Sequence, residues 1–201
     1  MRALTGGDKE GQAVATGLGG ADGARWANTL STAPLDCVYF ACMTAPLPTS
    51  APTIHPARGE DFALLGRLLQ LYLHDFSEHT GWDVDEHGLF HYAWLDAYRH
   101  EKGRHAYVFR IEGRPAGFAL VREAERIHMA EFFVLRRYRR AGVGLAAARH
   151  LLEAHAGPWS ITELATNPEA TSFWRRAITV PFEETVRADG TIEQRFTIDR
   201  P

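Results

Sequence analysis

Cysteine is scarce in this sequence, and long apolar runs are missing from it. The 201 residues include two cysteines, Cys37 and Cys42, whose spacing matches neither a redox Cys-x-x-Cys pair nor a paired-cysteine zinc motif. No stretch approaches the roughly 20 apolar residues that a transmembrane helix needs. Polar residues at positions 6–10 stand where a signal peptide would have its apolar core. We therefore expect reduced thiols and a cytoplasmic protein with no membrane partner.

An excess of positive charge is also missing. Lys and Arg number 22 against 25 Asp and Glu, which gives a net charge of −3. Because binding to nucleic acid through bulk charge needs a positive excess, we expect no nucleic-acid partner. The basic residues between Arg136 and Arg140 form a local patch that one phosphate-rich ligand could explain. His87 and His91 lie four residues apart but lack a third ligand, so no metal is expected.

Residues 1–52 differ in composition from the rest of the chain. They are rich in Gly, Ala, Thr and Pro and show no lasting hydrophobic periodicity. We predict a disordered or loosely packed extension there, followed by a single domain over residues 53–201. An alternative is that Met43 is the natural start, because globular patterning begins shortly after it.

Hydrophobic periodicity after residue 52 predicts a mixed α/β (α+β) chain. The predicted strands cover residues 53–58, 105–111, 116–122, 127–134, 159–165, 179–187 and 191–198. The predicted helices begin near Asp61, cover 85–100, open at Gly142 and Gly144 and continue to about 156, and begin again at Pro168. The resulting element order is β-α-α-β-β-β-α-β-α-β-β.

The most informative stretch is an apolar strand, a basic turn and a helix that opens with glycines. Arg139, Gly142 and Gly144 form the pattern Arg-x-x-Gly-x-Gly directly after the strand. The first N–H groups of a helix are unpaired and carry partial positive charge, so they attract phosphate. The pattern is neither a Walker motif nor Gly-x-Gly-x-x-Gly. An anion-binding loop and an ordinary turn are the two interpretations of these residues.

The pattern resembles the acetyl-CoA pyrophosphate loop of the GNAT superfamily of N-acetyltransferases. A second signature of that family, Asn-x-x-Ala-x-x-Phe, begins at Asn167, and the element order agrees over about three quarters of the chain. The resemblance implies a GNAT fold, with a central, mixed, mostly antiparallel twisted sheet flanked by helices. It also implies acetyl transfer from acetyl-CoA to a primary amine by direct attack in a ternary complex. The acceptor would be a small-molecule or protein amine, and a homodimer is left open.

The resemblance also assigns residues to the cofactor. Phe132, Phe133 and Val134 would line the pantetheine arm, with a backbone N–H near Val134 as the oxyanion donor. The diphosphate would be held by the loop and helix start, which comprise Arg139, Arg140, Ala141, Gly142, Val143, Gly144 and Leu145. Asn167 would face the pantetheine or thioester region, and a plain helix N-cap is the alternative for it.

Two residues are candidates for the general base. Glu131 is the carboxylate of the strand at 127–134, and beside an apolar cleft its pKa would be raised. A solvated residue or an ion pair with arginine is the alternative. His128 is the second candidate, because a histidine titrates in a suitable range, and a surface histidine is the alternative for it. Trp174 stands where many GNAT enzymes have a tyrosine acid, and an indole N–H is not a usable acid. A non-catalytic acyl-CoA-binding module is therefore the alternative function.

The acceptor side is predicted to involve residues 73–82. In GNAT proteins the segment that joins the first two helices covers that side. Asp75, Glu78 and Asp83 would suit a cationic amine, and a solvated loop is the alternative.

Overall fold

The computed structural model describes residues 50–199, so the prediction for residues 1–52, including the Met43 alternative, lies almost entirely outside the described chain. The strands are β1 (Thr53–Pro56), β2 (Arg104–Ile111), β3 (Arg114–Glu123), β4 (Ile127–Val134), β5 (Gly157–Leu164), β6 (Glu183–Val186) and β7 (Thr191–Ile198). The helices are α1 (Asp61–Thr80), α2 (Ala97–His100), α3 (Val143–Ala154) and α4 (Pro168–Ala177), with a short 3₁₀ turn at Arg136–Tyr138. Within residues 50–199, no helix combines the length and apolarity that crossing a membrane requires.

The strands form one sheet in the order β1-β2-β3-β4-β5-β7-β6. Five of the six neighbouring pairs are antiparallel, and β4 and β5 are the parallel pair. This confirms the predicted mixed sheet and the predicted order of elements. The parallel pair requires a crossover, and α3 makes it by running between the two strands.

Both faces of the sheet are covered, which explains the apolar run in its centre. Residues 116–121 of β3 are all buried, because their alternate side chains pack against opposite layers. One layer is formed by α3 and α4, with Leu151 and Trp174 in its core. The other is formed by α1, whose Leu65 and Leu69 face Phe118.

The predicted helix at residues 85–100 is wrong except for its last turn. Only Ala97–His100 is helical, and the preceding residues form turns. The Asp85 carboxylate accepts the N–H groups of His87 and Leu89, both at 2.9 Å, and Gly88 has φ 75°. These local bonds satisfy the backbone in a turn instead of a helix. His87 and His91 consequently do not share a helix face.

The first helix is longer than predicted. α1 continues to Thr80 and ends at Gly81, which has φ 68° and donates its N–H to the carbonyl of Ser77. Glycine adopts this left-handed conformation without steric cost, so it terminates the helix. Residues 73–80, predicted as part of a connecting segment, are therefore the last two turns of α1.

Candidate functional site

β4 and β5 are paired only where they begin. Their parallel ladder consists of Ile127 with Trp159 and His128 with Ser160, and beyond these residues the strands separate. The separation opens a cleft of about 310 Å³, which we call the β4–β5 cleft. Its lining includes Tyr72, Phe76, Trp82, Tyr92, Glu131, Phe132, Glu163, Asn167 and Trp174. Where the two strands separate, their facing edges carry backbone N–H and C=O groups that do not pair across the cleft. A ligand with amide groups can form hydrogen bonds with them.

A β-bulge in β4 decides which way Glu131 points. Leu120 of β3 is paired with Glu131 and Val121 with Met129, so Ala130 is the extra residue. A bulge shifts the alternation of side chains by one position. Phe132 therefore packs with the α3 layer, as Met129 does, and Glu131 turns toward α1.

The Glu131 carboxylate lies among aromatic side chains on the α1 side of the cleft. The Tyr92 hydroxyl donates a hydrogen bond to its Oε1 at 3.1 Å. Burial raises the pKa of Glu131, against the hydrogen bonds from Tyr72 and Tyr92, which lower it. The pKa values of both tyrosines are raised by burial and by the adjacent carboxylate. The partner of Glu131 is thus a phenol rather than an arginine, and its carboxylate can accept a proton.

His128, the second candidate base, lies in the paired part of β4 opposite Ser160. It is not among the residues that line the cleft. Burial, followed by the charge of Arg122, lowers its pKa. Of the two candidate bases, Glu131 lines the cleft and His128 does not.

The side chain of Arg139 is held by the protein itself. Its Nε donates to the carbonyl of Val134 at 2.8 Å, and its Nη2 lies 2.5 Å from Asp75 Oδ2. Arg136 also contacts Asp75, with 2.7 Å between Nη2 and Oδ1. Asp75, predicted to face a cationic amine, is thus neutralised by two arginines. Arg139 ties the loop to α1 and to the end of β4.

The loop between β4 and α3 has an unusual backbone. Arg140 has φ 62° and is exposed, and Gly142 has φ 78° as the residue before α3. An arginine with a left-handed backbone conformation is uncommon, and residues with such strained dihedral angles cluster at ligand sites. Among residues 50–199, no atom lies within 4 Å of the point where a Cβ on Gly142 would stand. The helix start therefore presents N–H groups beside open space, which fits a diphosphate.

Gly144 has a different function from Gly142. A Cβ on Gly144 would lie 3.3 Å from Phe173 Cε2 and 3.4 Å from Val134 Cγ2. Gly144 thus allows the first turn of α3 to pack closely against α4 and the end of β4. One glycine of the motif shapes the loop, and the other allows close packing.

Asn167 and Trp174 form the α4 side of the cleft. The Asn167 Oδ1 accepts the N–H of Ala170 at 3.1 Å, as the N-cap alternative predicts, and the residue also lines the cleft. Trp174 is buried, with its ring 5.2 Å from that of Phe132. An indole therefore occupies the position at which the family resemblance implied a tyrosine hydroxyl.

Glu163 is a cleft residue that the sequence analysis missed. It shares one face of β5 with Trp159 and Ile161 and thus faces the α3–α4 layer, where it is 6% exposed. Neither carboxyl oxygen has a hydrogen-bond partner among the described residues. Burial, followed by the charge of Glu184, raises the pKa of Glu163 to about 7. The alternation of its strand was the signal that could have placed this carboxyl inside.

We predict that Glu163→Gln makes stability less dependent on pH. A rise of the folded-state pKa from 4.5 to about 7 corresponds to about 3 kcal/mol. The folded state binds this proton more tightly than the unfolded state does. The stabilisation that the proton contributes is therefore complete below pH 4.5 and is lost as pH rises through 7. Urea unfolding should give similar free energies for wild type and variant at pH 4 and a more stable variant at pH 8. The exposed Glu153→Gln is the control, and equal pH dependence of Glu163→Gln and wild type would contradict the prediction.

Comparison with known proteins identifies the family. The model of the acetyltransferase (GNAT) family matches residues 65–178, which is more than half of the chain. The chain belongs to the GNAT acetyltransferase family. As a GNAT protein it is an acyltransferase of a family that uses acetyl-CoA. Among curated proteins, no sequence matches this GNAT protein significantly.

Solved structures agree with the fold. Ribosomal-protein-S18-alanine N-acetyltransferase from Escherichia coli is 17% identical, with a TM-score of 0.53 over 75% of this chain and 96% of that chain. An acetyltransferase from Thermus thermophilus is 16% identical, with a TM-score of 0.56 over 74% and 97%. Spermidine N-acetyltransferase from Vibrio cholerae, in complex with CoA and spermine, is 9% identical, with a TM-score of 0.55 over 74% and 95%. At these identities the GNAT protein shares their fold.

Proposed function

We propose that the protein transfers an acetyl group from acetyl-CoA to a primary amine by direct attack in a ternary complex. The observation that carries the proposal is the position of Glu131. The bulge at Ala130 aims this carboxylate into the β4–β5 cleft, beside an unpaired strand edge and before the phosphate loop. A base beside a site for an extended, amide-containing cofactor is what amine acetylation needs.

The cofactor side of the cleft is proposed to bind acetyl-CoA as the predicted residues suggest. When bound, acetyl-CoA supplies an acetyl group activated as a thioester. The open edge at Phe132, Phe133 and Val134 would pair with the amide-containing arm, and a backbone N–H near Val134 would donate to the carbonyl oxygen. The residues proposed to hold the diphosphate are Arg139, Arg140, Ala141, Gly142, Val143, Gly144 and Leu145. In this group Arg139 acts through its backbone, since Asp75 and Val134 hold its side chain.

The acceptor side of the cleft suggests the kind of amine. Tyr72, Phe76 and Trp82 line it, and the rings of Phe76 and Trp82 lie 5.8 Å apart. Glu131 is the carboxylate on this side, since the charge of Asp75 is paired with Arg136 and Arg139. We propose an acceptor with one cationic amine joined to an apolar or aromatic group. Aromatic faces bind the apolar part and attract the ammonium before it loses its proton.

Proton transfer is proposed to involve both carboxyl groups of the cleft. Glu131 takes the proton of the acceptor ammonium, directly or through one water. Glu163, on the opposite side, keeps a proton to about pH 7 and is our candidate donor to the leaving thiolate in place of tyrosine. Under this proposal the Glu163→Gln substitution also lowers kcat, while the affinity for acetyl-CoA is unchanged.

A thiol-release assay with a panel of amines tests the proposed function. The panel should include arylalkylamines, amino acids, aminoglycosides, polyamines and a peptide with a free N-terminus. CoA release with at least one amine supports the transferase. Binding of acetyl-CoA by calorimetry without CoA release from any of them would instead favour the acyl-CoA-binding module.

We predict that Gly142→Asp weakens binding of acetyl-CoA by at least about tenfold. A carboxylate would stand in the open space beside the helix start, where like-charge contact with a diphosphate is costly. Gly190→Asp is a matched control, because Gly190 has φ 80° and its Cβ position likewise has no described atom within 4 Å. Calorimetry with acetyl-CoA should separate the two variants. Unchanged affinity in a folded Gly142→Asp protein would mean that the diphosphate binds elsewhere.

A further inference from the structure

A second cluster of chemically reactive side chains lies away from the cleft. It joins His105 of β2, Glu123 at the end of β3 and His155, the residue that follows α3. One donor atom from each lies within 4.8 Å of the other two. α3 has 12 residues, and its opposite end forms the phosphate loop. At about 1.5 Å per residue the cluster is roughly 18 Å from that loop.

We propose that His105, Glu123 and His155 bind a zinc ion. The His155 Nδ1 lies 2.9 Å from Glu123 Oε1, and the His105 Nε2 lies 3.2 Å from the same oxygen. Tetrahedral zinc with bonds of about 2.0–2.1 Å separates its ligand atoms by about 3.3 Å. Two imidazoles and one carboxylate are a usual ligand set for this ion, so both chemistry and spacing fit.

The orientation of the two histidines favours a metal over a plain hydrogen-bonded cluster. The His105 Nε2 is buried and forms no hydrogen bond with any described residue, although Glu123 Oε1 is near. Its contact with Glu123 lacks hydrogen-bond geometry, and a metal ion would satisfy the lone pair of this buried nitrogen. A cluster held by hydrogen bonds alone does not explain why His105 Nε2 is buried without a hydrogen bond.

The ring of His155 is held in place as metal-binding histidines are. Its Nε2 lies 2.7 Å from the hydroxyl of Tyr107, which leaves Nδ1 directed at Glu123. Its backbone carbonyl accepts the indole N–H of Trp159 at 2.8 Å. A partner on the second ring nitrogen fixes the tautomer and the direction of a ligating imidazole. Tyr107 is therefore a positioning residue for the ion.

Two of the three proposed ligand side chains reach the protein surface. The side chains of His105 and Glu123 are 38% and 44% exposed, whereas that of His155 is 7% exposed. Zinc can thus enter from the surface and keep a water ligand. The ion would connect the ends of β2 and β3 with the end of α3 and stabilise the folded state. The inference does not depend on the proposed transferase function.

The test is titration of the full-length chain, free of any affinity tag, with Zn²⁺ alone. We expect binding of one ion by calorimetry and a rise in the melting temperature of about 5–10 °C at a hundredfold excess over the Kd. Glu123→Gln keeps an acceptor for His155 but removes the carboxylate ligand. This variant and His105→Ala change side chains that are partly exposed, so both should fold and lose at least about a hundredfold in affinity.

Two further variants make the test specific. Tyr107→Phe should weaken zinc binding by about 10–100-fold, because the ring stays and only the positioning hydroxyl is lost. His150→Ala removes an exposed histidine of α3 outside the cluster and should leave affinity unchanged. No binding to wild type would overturn the proposal. Equal binding to wild type, His105→Ala and Glu123→Gln would do so too, since the ion would then be held elsewhere in the chain.

Discussion

Glu131→Gln lowers kcat/KM for the accepted amine by about 10²–10⁴-fold, the usual contribution of a general base. The glutamine keeps the shape of the side chain and an oxygen that can accept the Tyr92 hydroxyl at the position of Oε1. It cannot take up a proton from the acceptor ammonium. The affinity for acetyl-CoA should stay unchanged, because Glu131 lies on the α1 side of the cleft. Steady-state kinetics with calorimetry measures both quantities.

The pH profile gives an independent measure of the same residue. Glu131 must be ionised to act as a base, so wild-type kcat/KM should rise with pH through the raised pKa of this carboxyl. In Glu131→Gln that limb of the profile disappears. Glu183→Gln, an exposed carboxyl of β6, is the matched control and should keep the wild-type profile. If kcat/KM of Glu131→Gln falls by less than tenfold, Glu131 is not the general base.

Gly117→Ala lowers the free energy of unfolding by at least about 3 kcal/mol, at or beyond the upper end of the usual cost of overpacking. A Cβ on Gly117 would overlap the backbone carbonyl of Phe133 and lie 3.0 Å from Phe109 Cδ2. The carbonyl belongs to the neighbouring strand and cannot rotate away as a side chain could. β3 and β4 must therefore move apart. Urea unfolding measures the loss, and soluble yield should fall with it.

Gly66→Ala is the control for Gly117→Ala. Gly66 lies inside α1, and a Cβ there would meet only Leu95 Cδ2 at 3.8 Å, an ordinary contact. Alanine favours a helix over glycine, so this variant should gain up to about 1 kcal/mol. The same chemical change thus has opposite effects at the two positions. Equal stability of Gly117→Ala and wild type would mean that β3 and β4 are farther apart than the structure shows.

Strong periodicity and local capping made most of the fold predictable. β4 and β7 have the predicted bounds, and α4 begins at Pro168 behind its Asn167 cap. The helix predicted at 85–100 failed because two side chains compete for its backbone, the nearby Asp85 and the distant Gln70. The Gln70 side chain of α1 accepts the N–H of Phe90 at 2.8 Å and donates to its carbonyl at 3.1 Å. No local pattern around Phe90 contains that partner.

The loop proposed to hold the diphosphate was predictable only in part. Its glycines were predicted to open a helix, and α3 begins at Val143. The different roles of the two glycines were not predictable, because they depend on the surroundings of each residue. Gly142 faces open space, whereas Gly144 packs against Phe173. The pairing of Arg139 with Asp75 was also hidden, because the two residues are separated by 64 positions.

The sequence alone determined the order of elements and led to the family, the proposed phosphate loop and the proposal of Glu131, because each depends on residues that are neighbours in the chain. Tertiary structure decided where the carboxylates point. The bulge at Ala130 turns Glu131 toward Tyr92, and the α3–α4 layer buries Glu163. It also assembled His105, Glu123 and His155, the last two separated by 32 residues. Desolvation and ligand geometry depend on such distant contacts, and so only the folded chain defines them.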